Sequence, residues 1–154
     1  MLVGDDAELP YDLFLGIPKH VAPEVVRASG LCVDGWIPVD PLTLATRHPD
    51  VYAIGDVTSV GTPKAGVFAE SQGAVVADAL IARARGAESP AFDGRGRCYI
   101  EFGHDQVAYV DVVFRSGEPP TGVYEPPSAE LAARKAEFGA SRIARWFDRT
   151  WTNV

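Results

Sequence analysis

The chain has 154 residues, 47% hydrophobic and 23% charged, with a formal net charge of −7. That length ordinarily makes one domain around one core, and the acidic balance argues against a general nucleic-acid binder. Cys32 and Cys98 form no CxxC pair and His20, His48 and His104 are scattered, so neither a disulfide framework nor a structural zinc site is expected.

MLVGDDAELP lacks the basic and long apolar regions of a signal peptide. No apolar run reaches the roughly 18 residues of a membrane span. With two unpaired cysteines, a reducing cytoplasm is the default location, with attachment to the inner face of a membrane as a less favoured option.

In chain order, MLV, GDD and the restart at Tyr11–Leu15 read as a short hairpin or the last strands of a sheet. Ala22–Ser29 reads as a short helix, with Pro23 in its first turn and Gly30 able to stop it in a left-handed conformation. Trp36–Val39 is a short extended piece. Val51–Ile54 is a brief apolar run bounded by turn signals, the pattern of a buried parallel strand.

From Gly66 to about Arg85 the pattern turns helical, with Gly86 as its stop. Val67, Phe68, Val75, Val76, Leu80 and Ile81 spread round this helix and predict burial on more than one side. Gly66, Ala69, Gly73 and Ala77 make a small-residue stripe where a backbone or a ligand can come close.

RCYIEF at 97–102 and QVAYVDVVF at 106–114 predict a hairpin turning at Gly103-His104-Asp105. Pro119-Pro120 and Pro126-Pro127 predict a stiff connector. Ser128 then caps a helix running to about Asp148. Its expected apolar face carries Ala132, Ala136, Ala140, Ile143, Ala144, Trp146, Phe147 and Trp151, opposite Arg134, Lys135, Glu137, Arg142, Arg145 and Arg149. That helix can pack on its own domain, dock on a partner, or lie at a membrane surface.

VYAIGDVTSV at 51–60 carries the chemistry. Gly55 lets a ligand approach the backbone, and Asp56 can accept hydrogen bonds from sugar-like hydroxyls. The plain alternative is an Asx-turn or a helix cap. Lys64 and the helix start at Gly66 follow, adding a cation and free N–H groups that favour an anion. A ligand with a polyhydroxyl arm and an anion-forming ring would use all three features, as reduced flavin with its ribityl chain does.

TLATRHPDVYAIGDVTSVGTPKAGVFAESQGAVVADAL resembles the C-terminal FAD-binding signature of the pyridine nucleotide-disulfide oxidoreductase superfamily. Pro63-Lys64-Ala65-Gly66, GRGRCYIEFG and KAEFGASRIARWF are similar to the sulfide:quinone oxidoreductase and flavocytochrome c sulfide dehydrogenase branch. The resemblance implies that Asp56 holds the ribityl chain, that Gly55 gives it room, and that Lys64 with the backbone at Ala65 and Gly66 faces the flavin pyrimidine edge. Relatives often carry Thr at the position of Ala65, so only a backbone contact is carried over there. It also implies that Cys98 is half of a redox disulfide, with a partner that Cys32 cannot replace. The plain reading of Cys98 is a small buried hydrophobe.

A full member of that family also carries a G-x-G-x-x-G turn for the FAD pyrophosphate. This sequence has none, since Gly94-Arg-Gly96-Arg-Cys-Tyr lacks the third glycine. The expectation is an α/β chain, a mixed α+β fragment. Residues 1–31 would be the tail of a pyridine-nucleotide-type domain, 32–90 the C-terminal part of an FAD-binding domain, and 91–154 a hairpin and amphipathic helix. Its expected partners are the missing FAD-binding part or a second copy of itself, and a quinone or other electron acceptor. The expected activity is passage of electrons from a reduced donor, such as sulfide, through flavin, with the lone chain inactive. The rival is a non-enzymatic binding or interface module of the same fold.

Overall fold

A three-stranded antiparallel sheet in the order β3-β4-β5 organises the computed structural model, which describes residues 2–4 and 7–150, with side chains from Pro10 onward. Strands β3 (Arg95–Gly103) and β4 (Gln106–Val113) form the expected hairpin. His104 and Asp105 make the turn, both left-handed at φ 50° and 55°. That is the type I′ geometry whose twist matches two antiparallel strands.

β5 (Thr121–Ser128) pairs with β4, where a stiff connector was expected. Pro126 and Pro127 lie between the pairs Tyr109↔Glu125 and Val107↔Ser128, so two residues of β5 oppose one of β4. A bulge on an edge strand leaves no ladder N–H for proline to lose. The prolines therefore shape the strand instead of preventing it.

Two long helices cover opposite faces of the sheet. On one face stands α2 (Gly66–Arg85). Gly96 of β3 makes room for it: a Cβ there would come within 2.4 Å of the Phe68 ring. Phe68 meets Phe114 edge-on at 5.7 Å and joins Leu44, Val60 and Phe92 in the main core. Gly86 ends the helix at φ +65°, its N–H bonding the carbonyls of Ala82 and Arg83. Burial on several sides is not seen: only Phe68, Gln72 and Ala82 are buried, while Leu80 and Ile81 are about half exposed. Beyond the sheet and the 55–57 turn, no other described element packs extensively on α2.

On the other face lies α3 (Ala129–Phe147), capped as expected by Ser128, whose Oγ accepts from the Leu131 N–H at 3.1 Å. Leu131 packs with Val107 and Tyr109, and Phe138 meets Tyr99 at 5.4 Å. The contacting face keeps Ala132 and Ile143 of the expected one but departs from it elsewhere. Trp146 and Phe147 are exposed, Arg142 is turned inward onto the Glu70 carboxylate of α2, and Trp151 lies outside the described residues. Arg142 lays its guanidinium over the Phe138 ring. A long side chain of this kind can cover apolar surface and still reach its charge partner, so residue polarity misplaces the face.

The segment before α2 is mostly irregular. β1 (Leu2–Gly4) and β2 (Ala7–Leu9) form an antiparallel hairpin, so its second strand precedes Tyr11–Leu15, which is irregular and exposed. Asp5 and Asp6 lie outside the described residues. The expected helix shrinks to one turn, α1 (Glu24–Arg27), with Pro23 at its N-cap and Gly30 left-handed nearby. Val51–Ile54 is not a parallel strand. It doubles back on Leu44–Thr46 through an antiparallel bridge, Ala45↔Tyr52, with Leu44 and Asp50 left-handed. A four-residue apolar run cannot specify the direction of its neighbour, and the turn at His48–Asp50, with Asp50 left-handed and the Val51 N–H donating to the His48 carbonyl, reverses the chain here. Among the described residues no helix is long and apolar enough to cross a membrane.

Candidate functional site

The Gly55–Val57 segment is a single 3-10 turn seated on the first half of α2. Gly55 has φ +70°, a region that favours glycine, and a Cβ there would lie 3.1 Å from the Ala69 Cβ. Ile54 reaches Gly73 in the same way, its Cδ1 3.3 Å from where a Cβ would stand. Ala69 of the small-residue stripe thus receives another backbone, as one of its two readings expected, while Gly73 receives the Ile54 side chain.

Every polar group of Gly55 is used. Its N–H donates to Gln72 Oε1 at 2.6 Å, and its carbonyl accepts from the Thr58 hydroxyl at 2.9 Å and from the Thr58 N–H at 3.2 Å. Asp56 differs. It is exposed, and its carboxylate accepts no hydrogen bond among the described residues. Ile54 is the N-cap of this turn and Ala65 the N-cap of α2. Asp56 is therefore neither a cap nor the acceptor of an Asx-turn, and its carboxylate remains free to accept.

Lys64 closes the turn from the other side. Its Nζ donates to the carbonyls of Asp56 at 2.6 Å and Thr58 at 3.1 Å, and sits 3.6 Å from the centre of the Trp36 ring. Burial holds its ammonium below the ordinary lysine value, and the Asp56 charge offsets part of that. Ala65 is extended, and its carbonyl accepts from the N–H groups of Phe68 and Ala69. The N–H groups of Gly66 and Val67 then have no partner within the helix, and Gly66 is exposed.

Gly55, Asp56, Lys64, Ala65 and Gly66 thus surround one turn and one helix start. Sequence reasoning passed over two further residues. Gln72 is a lone amide in a helix otherwise built of small and apolar residues at its buried positions, which was its signal. Trp36 carried none, because its partner lies in a distant segment.

Cys98 lies elsewhere, on β3 opposite Val110 and, by strand alternation, on the face of Gly96 and Ile100. It is partly buried, and that burial raises its thiol above the usual value. Cys32 and Cys98 are both free thiols, and Cys32 donates to the Val26 carbonyl at 3.4 Å.

A mixed α+β unit with a glycine-aspartate turn seated on a helix start is the class that fold and site define. No family model matches the chain. Among curated proteins it is 28% identical over 108 residues to the mitochondrial sulfide:quinone oxidoreductase of Mus musculus, covering 68% of this chain and 24% of that protein. The chain therefore spans about a quarter of the length of that relative.

Proposed function

We propose that this chain is the C-terminal portion of an FAD-dependent oxidoreductase of the NAD(P)/disulfide type. The observation that supports this best is the free Asp56 carboxylate, presented by a left-handed Gly55 that is seated against Ala69. The residues present suit one part of FAD. A turn that a Cβ at Gly55 would crowd leaves Asp56 open to accept from ribityl hydroxyls. The unpaired N–H groups at Gly66 and Val67 suit an electron-rich ring edge, and the backbone at Ala65 shapes that approach. Lys64 is already spent on two carbonyls, so its part is to brace the turn and lend positive charge. Residues for the pyrophosphate are not part of this proposal, because this sequence carries no G-x-G-x-x-G turn.

When bound, a flavin would accept two electrons from a reduced donor and pass them to an acceptor such as a quinone. Sulfide as the donor and quinone as the acceptor are suggested by the name of the relative. Cys98 would share a disulfide with a cysteine that Cys32 does not replace: sulfide would attack that disulfide, the new S–S bond forming on one sulfur as the old one breaks and the other sulfur leaves as a thiolate. As the free thiol seen here, Cys98 is partly buried, and that burial raises its pKa. In the same reading residues 1–31, 32–90 and 91–154 are pieces of larger domains.

A second reading is a non-enzymatic interface module. It is favoured by the large apolar residues left exposed, with Leu13, Leu15 and Ile17 at 74%, 85% and 87%. The same exposure suits docking to an FAD-binding partner or to a second copy. Coexpression with an N-terminal FAD-domain partner separates the two readings. Flavin that copurifies with the complex, and is lost with Asp56→Ala, supports the oxidoreductase. A stable complex without flavin supports the interface module.

A further inference from the structure

We infer that Gln72 is the positioning residue of the candidate site, tying the Gly55–Asp56 turn to the loop that carries Lys64. Its purpose rests on the flavin reading above, whereas the clamp itself rests on geometry alone.

Gln72 is completely buried, at 0% exposure, on a helix whose other buried residues are Phe68 and Ala82. A buried amide is unfavourable unless its ends are bonded. Here both ends are. Oε1 accepts from the Gly55 N–H at 2.6 Å, and Nε2 donates to the Thr62 hydroxyl at 3.3 Å. The orientation of the amide is dictated by its partner: a backbone N–H can only donate, so the oxygen must face Gly55. One side chain therefore joins residue 55 to residue 62 through the middle of α2.

The consequence reaches Asp56. Gly55 is left-handed, and its carbonyl is held by Thr58. With its N–H held by Gln72, the peptide on each side of Gly55 is fixed, and the direction in which Asp56 leaves the turn is fixed with it. Thr62 leads directly into Pro63 and Lys64, whose Nζ returns to the carbonyls of Asp56 and Thr58. The hydroxyl acceptor and the cation are thus held as one unit. An apolar residue of similar size would fill the same space but leave the Gly55 N–H buried and unbonded, and the turn free to move.

The test uses the ¹⁵N-labelled chain and reads amide protection factors residue by residue. Gln72→Leu should lower the protection of the Gly55 amide roughly tenfold or more and shift its proton upfield, while the amides of β3 and β4 keep theirs. Gln72→Glu should keep Gly55 protection above that of Gln72→Leu, because a carboxyl oxygen still accepts from the Gly55 N–H and the Thr62 hydroxyl can donate to the other oxygen. If Gln72→Leu does not fold, Thr62→Val reads the far end of the clamp and should lower Gly55 protection by a smaller factor. Unchanged Gly55 protection in the folded variant, or an equal loss across the whole sheet, overturns the inference. If the clamp behaves as described but Asp56→Ala leaves FAD affinity of the partnered complex unchanged, the flavin reading fails and the clamp stands.

Discussion

The Nζ of Lys64 rests 3.6 Å from the centre of the Trp36 ring while donating to the Asp56 and Thr58 carbonyls. The ring and the carbonyls favour the charged form, but burial outweighs them and depresses the ammonium below 10.5. Trp36→Ala should open the site to water and return Lys64 toward that value, as read by side-chain NMR titration. The linkage has a definite sign. Between the folded value and 10.5 the unfolded chain holds more of this proton, so the fold gains stability as the pH rises through that window. Relative to Lys64→Met, the natural chain should become more stable across it.

Gly55→Ala should destabilise the chain by about 1–2 kcal/mol, through a left-handed φ and a close approach to Ala69. Gly30 is the control. It has φ +77° with nothing within 4 Å of its missing Cβ, so Gly30→Ala should cost only the conformational part. Denaturant titration of both variants checks the order.

Asp111 accepts from Arg95 at 2.7 Å and from Arg97 at 3.2 Å, and the Arg95 hydrogen bond is the main reason its carboxyl lies below 3.8. Stability from this group is complete above that value and is lost as the pH falls through the lower folded one. Asp111→Asn should therefore flatten the acid limb of the stability profile and leave its neutral region less stable. An acid limb that is unchanged contradicts the role given to these contacts.

Cys98 should alkylate more slowly at neutral pH than an unperturbed thiol, because burial raises its pKa and thiolate is the reactive form. Its rate should climb with pH beyond the point at which a free thiol saturates. Mass spectrometry of timed iodoacetamide labelling, with Cys32→Ser to isolate the site, reads this directly.

Local signals made much of the fold readable. Gly86 marks the end of α2, His104 and Asp105 accept the left-handed geometry of the β3–β4 turn, and Ser128 caps α3. Each is a short-range effect of backbone freedom or of one side chain on its own helix. Much of what escaped depends on partners far along the chain. Pro126 and Pro127 read as a linker because only a neighbouring β4 makes a bulge of them. Val51–Ile54 escaped for a local reason: its reversal rests on Asp50, a non-glycine residue, adopting left-handed φ. The inward side of α3 was misjudged because Arg142 finds Glu70, 72 residues away.

The candidate site divides along the same line. Gly55, Asp56, Lys64, Ala65 and Gly66 fall within a dozen residues, so their proximity could be read. Gln72 and Trp36 act across the fold, on Gly55 and Lys64, and no spacing rule finds them.

The most direct measurement is the FAD affinity of the complex between this chain and an N-terminal FAD-domain partner, with Asp56 and with Asp56→Ala, by calorimetry. A charge-assisted hydrogen bond to the ribityl chain is worth about 1.5–3 kcal/mol, so the variant should bind at least roughly tenfold more weakly while unfolding at the same denaturant concentration. Equal affinity in the two complexes would contradict the account.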